Sequence, residues 1–270
     1  MNKLLQALDR ATAAKHWLIA LDRDGTLVPY ARRPEEARVD EDLRAVLDQL
    51  ADQSHVDVAV ISARSVAQLR GDFWRSSLIF AGSYGLEMHF SDGKQVVQPA
   101  ALEALPGLHA VRDELATLVD LNSGAIIEDH GYSLCLHWHL VPEQLLSGIH
   151  CGIAKLQQKY PALNFRALPT SYEVLPAGIW DKGAALQFLA TALGGPDDHW
   201  FYFYAGDSES DTPAFSWVNE HRGISVRVGG DDPLGAQFVL PAPEELHQVL
   251  RYLSGAQATS GVRNTGIAGV

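Results

Sequence analysis

An apolar run, Trp17-Leu18-Ile19-Ala20-Leu21, breaks abruptly into Asp22-Arg23-Asp24-Gly25-Thr26. A short apolar run that stops at Gly-Thr reads as a strand buried on both faces of a parallel sheet. Its end would present two carboxylates, two residues apart, at the carboxyl edge of the sheet, where open α/β proteins bind ligands. A nucleophile and a proton donor would stand side by side there. Asp and Gly also simply end strands, so the pair takes its meaning from the rest of the chain.

Two more strand ends and a helix start occur later, in a fixed order. Val56-Asp57-Val58-Ala59-Val60-Ile61 reads as a second buried strand and ends at Ser62-Ala63-Arg64-Ser65, which puts a small hydroxyl at another tip. Asp181-Lys182-Gly183 opens an amphipathic stretch from Ala184 to Leu193. That sets a lysine in the first helical turn, where an acid is usual. Trp200-Phe201-Tyr202-Phe203-Tyr204-Ala205 then runs into Gly206-Asp207-Ser208-Glu209-Ser210-Asp211, with two more carboxylates four residues apart. Taken singly, Ser62 could cap a helix, Lys182 could lie on the surface and Asp207 could be a cap with Asp211 in the first turn. Their joint order at strand ends favours one composite site.

In these motifs the chain resembles the haloacid dehalogenase-like phosphatase superfamily: Asp-x-Asp-Gly-Thr, a hydroxyl residue after the second strand, a Lys, and Gly-Asp-x-x-x-Asp. Val60 to Arg64, Gly82-Ser83-Tyr84-Gly85-Leu86-Glu87, Ile127 to His130 followed by Leu134 to His137, Tyr172 to Pro176, and Lys182-Gly183 are similar to its trehalose-6-phosphate phosphatase branch. The likeness runs from about Trp17 to Gly229. The branch usually has Ser-Gly-Arg where Ser62-Ala63-Arg64 stands, His at Tyr84, Lys at His130 and often Arg at His139. These departures touch the choice of sugar more than the chemistry.

The resemblance implies an α/β fold: a doubly wound, Rossmann-like parallel-sheet core of the haloacid dehalogenase type with an inserted α+β cap domain. Alternating apolar runs and helical patterns between Trp17 and Ala81, with Leu43, Val46, Leu47 and Leu50 at helix spacing, read independently as βαβ units. Ser91 to Lys94 marks a hairpin. Between about Pro99 and Ser171 the pattern changes to a helix (Pro106 to Val119), two strands (Ala125 to Ile127, Ser133 to Leu140), a helix (Pro142 to Lys159) and two strands (Asn164 to Leu168, Tyr172 to Leu175). The expected division is a catalytic core at 1–98 and 174–253, a cap at 99–173 and a flexible tail at 254–270.

A chain of 270 residues with 47% hydrophobic content can bury a large core. No apolar run approaches the ~20 residues that span a bilayer, and no secretion signal is evident, so a cytoplasmic protein without membrane partners is expected. Net charge of −12 argues against a nucleic-acid partner. A monomer is expected. Cys135 and Cys151 have no metal spacing.

A phosphate monoester repels a carboxylate nucleophile by ~4 kcal/mol at contact distance, so a cation is needed. Asp22, Asp207 and the carbonyl of Asp24 offer the oxygen ligands that Mg2+ prefers. Asp22 is then the expected nucleophile, forming an aspartyl-phosphate, and Asp24 the acid and base. Thr26, Ser62 and Lys182 would hold the phosphoryl oxygens, and Asp211 would orient Lys182 or a water on the ion.

In the branch resembled, cap carboxylates grip sugar hydroxyls, and the matching positions are Glu128 and Glu173, with His130 in place of the lysine. Tyr84 and Glu87 are expected to border the cleft and Arg64 to brace its loop. His137 and His139 share a strand face but lack a third ligand for zinc. The expected substrate is trehalose 6-phosphate. Alternatives are another sugar phosphate (sucrose phosphate, a glycosyl-phosphoglycerate or a hexose phosphate), a phosphomutase, or a non-catalytic sugar-phosphate sensor.

Overall fold

The computed structural model describes residues 1–11, 16–31, 33–73, 77–119, 124–178 and 180–255. Of the tail expected at 254–270, Ser254 still belongs to the last helix, and residues from 256 onward lie outside the described ones.

Six strands run parallel: β1 (His16–Leu21), β2 (Val56–Ile61), β3 (Ile79–Gly82), β10 (Trp200–Gly206), β11 (Ile224–Val228) and β12 (Phe238–Leu240). Antiparallel β4 (Glu87–His89) and β5 (Gln95–Val97) extend the sheet, in the order β12-β11-β10-β1-β2-β3-β4-β5. The chain winds outward from β1 in one direction through β2 and β3, and in the other through β10 to β12. β1 is therefore the switch point, beside which a crevice opens at the carboxyl edge.

Alternation along the central strands fills both faces. Trp17, Ile19 and Leu21 join Val58, Val60 and Phe203 on one side, while Leu18, Ala20, Ala59, Ile61, Tyr202 and Tyr204 point to the other. The first face is covered by α1 (Asn2–Ala11), α2 (Glu41–Ala51), α3 (Val66–Asp72) and α8 (Pro243–Ser254), through Leu4, Leu8, Leu47, Leu69 and Leu250. Each such leucine, fully buried, contributes about 1.5–3 kcal/mol. Asp40 caps α2 by accepting from the Leu43 N–H. The other face is covered by α6 (Lys182–Ala192) and α7 (Thr212–Glu220), through Leu186, Leu189, Phe215 and Val218.

A second sheet forms from β6 (Ile126–Asp129), β7 (Leu134–His137), β8 (Leu163–Ala167) and β9 (Ser171–Pro176), antiparallel in the order β6-β7-β9-β8. It packs on α4 (Pro99–Leu118) and α5 (Glu143–Lys159) through Leu134, Leu136, Phe165 and Val174. The opposite face of the same strands carries Glu128, Cys135, His137, Arg166 and Glu173, as the two-residue period of a strand requires. β9 pairs with β8 as far as Pro176, so the expected boundary at 173/174 falls inside a strand.

The helix expected to start at Pro106 begins at Pro99 instead, with Pro106 in its interior. Pro99 occupies the first turn, where a missing N–H costs nothing. Ala101, Ala104, Leu108, Val111 and Leu115 form one buried seam that runs past Pro106. That burial outweighs the ~3 kcal/mol that an interior proline costs. No described helix is long and apolar enough to cross a membrane.

The tip of β1 turns at Gly25, whose φ of +83° favours glycine. A Cβ there would also lie 2.4 Å from Asp207 Oδ2. Gly25→Ala should lower stability by about 1–3 kcal/mol, measured as a fall in urea midpoint at unchanged m-value.

Candidate active site

Because β1 pairs Leu21 with Val60 on one side and Ala205 on the other, the residues just beyond these strands emerge at one edge. Asp22, Ser62 and Asp207 are thus brought together by sheet register. Lys182 joins them from the first turn of α6, whose Asp181 cap accepts from the Ala184 N–H at 2.9 Å. The edge opens into a cavity of about 560 Å³ that extends to the polar face of the second sheet.

Lys182 is buried and bridges two carboxylates, with Nζ 2.8 Å from Asp22 Oδ1 and 2.7 Å from Asp211 Oδ1. Asp211 is saturated. Its Oδ1 also accepts from the Tyr204 hydroxyl at 2.6 Å, and its Oδ2 accepts from the backbone N–H groups of Asp207 and Ser208 and the Ser208 hydroxyl. Burial alone would raise its carboxyl pKa, but the Lys182 charge and these donors hold it below the ordinary range.

Asp22 and Asp207 are not saturated. Asp22 Oδ2 receives a long contact from the Thr26 hydroxyl, at 3.4 Å. Asp207 Oδ2 accepts from Tyr30 at 2.9 Å, while its buried Oδ1 has no protein partner. Burial, followed by the repulsion of Asp211 and Asp207 against the pull of Lys182, pushes the Asp22 carboxyl well above its usual value.

Ligand oxygens of Asp22, Asp207 and Asp211 lie within 4.8 Å of one another, the sole such cluster among the described residues. Two carboxylates at that separation repel by about 3–4 kcal/mol. Three carboxylates against one lysine leave the cluster acidic, and one buried Asp207 oxygen lacks a hydrogen-bond partner. A hard divalent cation fits this donor set. Asp211, its oxygens already engaged, is less free to ligate than the other two.

Asp24 is held firmly by arginines. Arg64 approaches it in bidentate fashion, Nε to Oδ2 at 2.7 Å and Nη2 to Oδ1 at 2.9 Å, and the fully buried Arg23 donates to Oδ1. Burial would raise its pKa, but the Arg64 hydrogen bonds and both guanidinium charges hold it below the usual range. Arg64 therefore grips the expected proton donor, which is more than bracing its loop. Ser62 is buried, and its hydroxyl accepts from the Arg64 N–H at 3.2 Å.

On the opposite wall, Glu128 Oε2 lies 2.6 Å from His137 Nε2. Burial pushes its carboxyl up, but the His137 hydrogen bond together with the nearby His130, His137 and Arg64 brings the net shift downward. His130 is buried and its Nδ1 is 3.0 Å from Gln68 Oε1, with its pKa lowered by desolvation. Glu173 is buried and accepts from both the Tyr84 hydroxyl and the Arg166 guanidinium. His139 also lines the cavity, its ring edge-on to His137. Glu87 does not line the cavity; it bonds to His89.

Sequence reasoning missed Arg23, Tyr30 and Arg166. Arg166 was detectable, since the β8–β9 hairpin places it directly opposite Glu173 as an opposite-charge cross-strand pair. Arg23 and Tyr30 left no such local signal.

The sequence profile of the trehalose-phosphatase family matches residues 20–237. The chain belongs to the trehalose-phosphatase family. It is a phosphoric monoester hydrolase. A trehalose 6-phosphate phosphatase of Zea mays is 28% identical over 260 residues, covering 90% of this chain and 71% of that protein. An uncharacterised glycosyl hydrolase of Mycobacterium tuberculosis is 31% identical over 92% of this chain and 19% of its own length. The solved C-terminal domain of a C. albicans trehalose-6-phosphate phosphatase superposes with a TM-score of 0.79 at 21% identity, covering 95% of this chain and 98% of that one. That likeness shows the haloacid dehalogenase-like fold.

The Asp24–Arg64 pair has a pH signature. With its folded pKa depressed, Asp24 adds stability above the ordinary carboxylate value, and that contribution disappears as pH falls through the folded value. The Tm advantage of wild type over Arg64→Gln should be full at neutral pH and shrink below pH ~4. A constant difference between pH 7 and pH 3 would contradict the pairing.

Proposed function

We propose that the protein hydrolyses trehalose 6-phosphate to trehalose and phosphate, with Asp22 as nucleophile and a magnesium ion at the acidic cluster. The observation that carries the chemistry is the asymmetry within that cluster: Asp22 and Asp207 keep open oxygens while Asp211 is saturated. Asp22, Asp207 and the Asp24 carbonyl would hold the ion. When bound, it would supply the positive charge that lets an anionic nucleophile approach an anionic phosphoryl group.

Asp22 attacks phosphorus through a carboxylate oxygen, and the bond from phosphorus to the sugar oxygen breaks as the aspartyl-phosphate forms. Lys182, fixed 2.8 Å from Asp22, holds its carboxylate in one orientation and offsets charge on the phosphoryl oxygens. Ser62, which lines the cavity, and Thr26, beside Asp22, would bind those oxygens. Asp24 gives the proton that the departing sugar oxygen needs, and takes one back from the water that hydrolyses the intermediate. Its bidentate bonds to Arg64 must open before it can do so.

The sugar would lie against the face of the second sheet. Glu128 and Glu173 project there with His130 and His137, and together they offer acceptors and donors suited to a polyol. The second sheet with α4 and α5 would act as a cap that closes over the phosphate and excludes water during the first step.

Asp22→Asn, which keeps the shape and removes the nucleophile, should reduce kcat below a few per cent of wild type with an unchanged circular dichroism spectrum. Appreciable residual turnover would remove Asp22 from that role. EDTA should abolish phosphate release and magnesium restore it; restoration by zinc alone would move the metal site to the histidines. Product analysis should find free trehalose and one equivalent of phosphate. A sugar phosphate isomer without net phosphate would identify a mutase.

A further inference from the structure

Glu173 and Arg166 meet across the β8–β9 hairpin inside the cavity, on the leaving-group side of the phosphoryl site. Arg166 Nε donates to Glu173 Oε2 at 2.8 Å, its Nη2 donates to the same oxygen, and its guanidinium lies 4.8 Å from the centre of the Tyr84 ring. The Tyr84 hydroxyl donates to the other oxygen of Glu173. Both carboxylate oxygens thus have a protein donor: Oε2 is taken up by the two guanidinium bonds, while Oε1 keeps a lone pair for a ligand.

Tyr84 is itself fixed from the phosphate side. Its N–H donates to the Ser62 carbonyl at 2.8 Å, and its carbonyl accepts from Trp180 Nε1 at 3.0 Å. Ser83 and Tyr84 sit at φ of +47° and +61°, a conformation costly for residues with side chains. Burial and the neighbouring Glu173 push the Tyr84 phenol well above its usual pKa, so it remains a donor. The acceptor carboxylate is therefore tied to the phosphate-binding loop through one rigid aromatic residue.

The charged groups of this wall are engaged with one another. Arg166 is committed to Glu173, Arg64 to Asp24, and Glu128 to His137. A cation already engaged by a carboxylate cannot take a second anion without breaking that pair, and an unpaired buried charge is costly.

We propose that Arg166, acting with Tyr84, is a specificity-determining positioning residue: it fixes Glu173 as an acceptor for leaving-group hydroxyls and, being neutralised by it, excludes leaving groups that carry a second negative charge. This rests on the sugar-phosphatase reading and narrows its substrates to phosphate esters of neutral polyols. It disfavours a glycosyl-phosphoglycerate, whose leaving group bears a carboxylate.

The test compares kcat/KM for trehalose 6-phosphate, for the matched pair glucitol 6-phosphate and 6-phosphogluconate, and for para-nitrophenyl phosphate as a sugar-free reference. Wild type, Arg166→Ala, Arg166→Lys, Tyr84→Phe and Glu173→Gln are measured with saturating magnesium, after thermal melts confirm folding. In Arg166→Ala the ratio of trehalose 6-phosphate to para-nitrophenyl phosphate should fall about tenfold or more, mainly through KM, with partial recovery in Arg166→Lys. Tyr84→Phe should move the same ratio in the same direction.

Glu173→Gln releases Arg166, so its preference for glucitol 6-phosphate over 6-phosphogluconate should drop by about tenfold. The double variant Arg166→Ala/Glu173→Gln should lose any gain on 6-phosphogluconate. Ratios within twofold of wild type in Arg166→Ala, or in Arg166→Lys and Tyr84→Phe should the alanine variant not fold, would overturn this inference alone. A wild type that cleaves para-nitrophenyl phosphate but no neutral sugar phosphate would overturn the reading beneath it.

Discussion

The buried ammonium of Lys182 holds the phosphoryl end of the structure together. Asp22, Asp207 and Asp211 converge at one sheet edge because β1 and β10 are neighbours in register, and nothing in that convergence is favourable in itself. Lys182 ties Asp22 to Asp211 with contacts of 2.8 and 2.7 Å, from a helix start where a positive charge opposes the helix dipole. A lysine tolerates that position because two carboxylates surround it, which raises its own pKa despite complete burial. The arrangement is costly to assemble and stiff once formed.

Asp211 shows how that stiffness is distributed. It contacts Lys182, Tyr204 and the turn between β10 and α7, so one carboxylate fixes the lysine and the loop that carries Asp207 at once. Because its oxygens are used in this way, the less engaged carboxylate oxygens of the cluster are those of Asp22 and Asp207. Two aspartates in one short motif, four residues apart, thus do different work for a reason visible in their hydrogen bonds.

The phosphoryl half of the site was legible in sequence because it is built from strand tips. An apolar run locates each strand, and the residue after it must lie on the same edge, so Asp22, Ser62 and Asp207 could be placed together without coordinates. Lys182 was readable as a misplaced charge in a first helical turn. The other half depends on pairings between distant segments. Arg64 meets Asp24 across 40 residues and Tyr84 meets Glu173 across 89, and neither strand periodicity nor a helix cap encodes such contacts. The α4 start was misjudged for a related reason: a proline is a local signal, and the buried seam that overrides it is a tertiary one.

The two halves of the cavity differ in how their charges are compensated, and that contrast matches the substrate's own polarity. Around Asp22 the acidic groups outnumber their single lysine, which leaves the site in need of a cation and of an anion that the cation can share. Across the cavity each carboxylate has a partner, Glu128 with His137 and Glu173 with Arg166, so that wall has hydrogen-bonding capacity but no carboxylate left without a partner. Arg64 and Asp24 form a further pair in the lining of the cavity. A dianionic phosphate attached to a neutral polyol matches this gradient from end to end. A ligand charged at both ends would meet compensated groups where it needs free ones, so discrimination is built into the pairing pattern as well as into cavity shape.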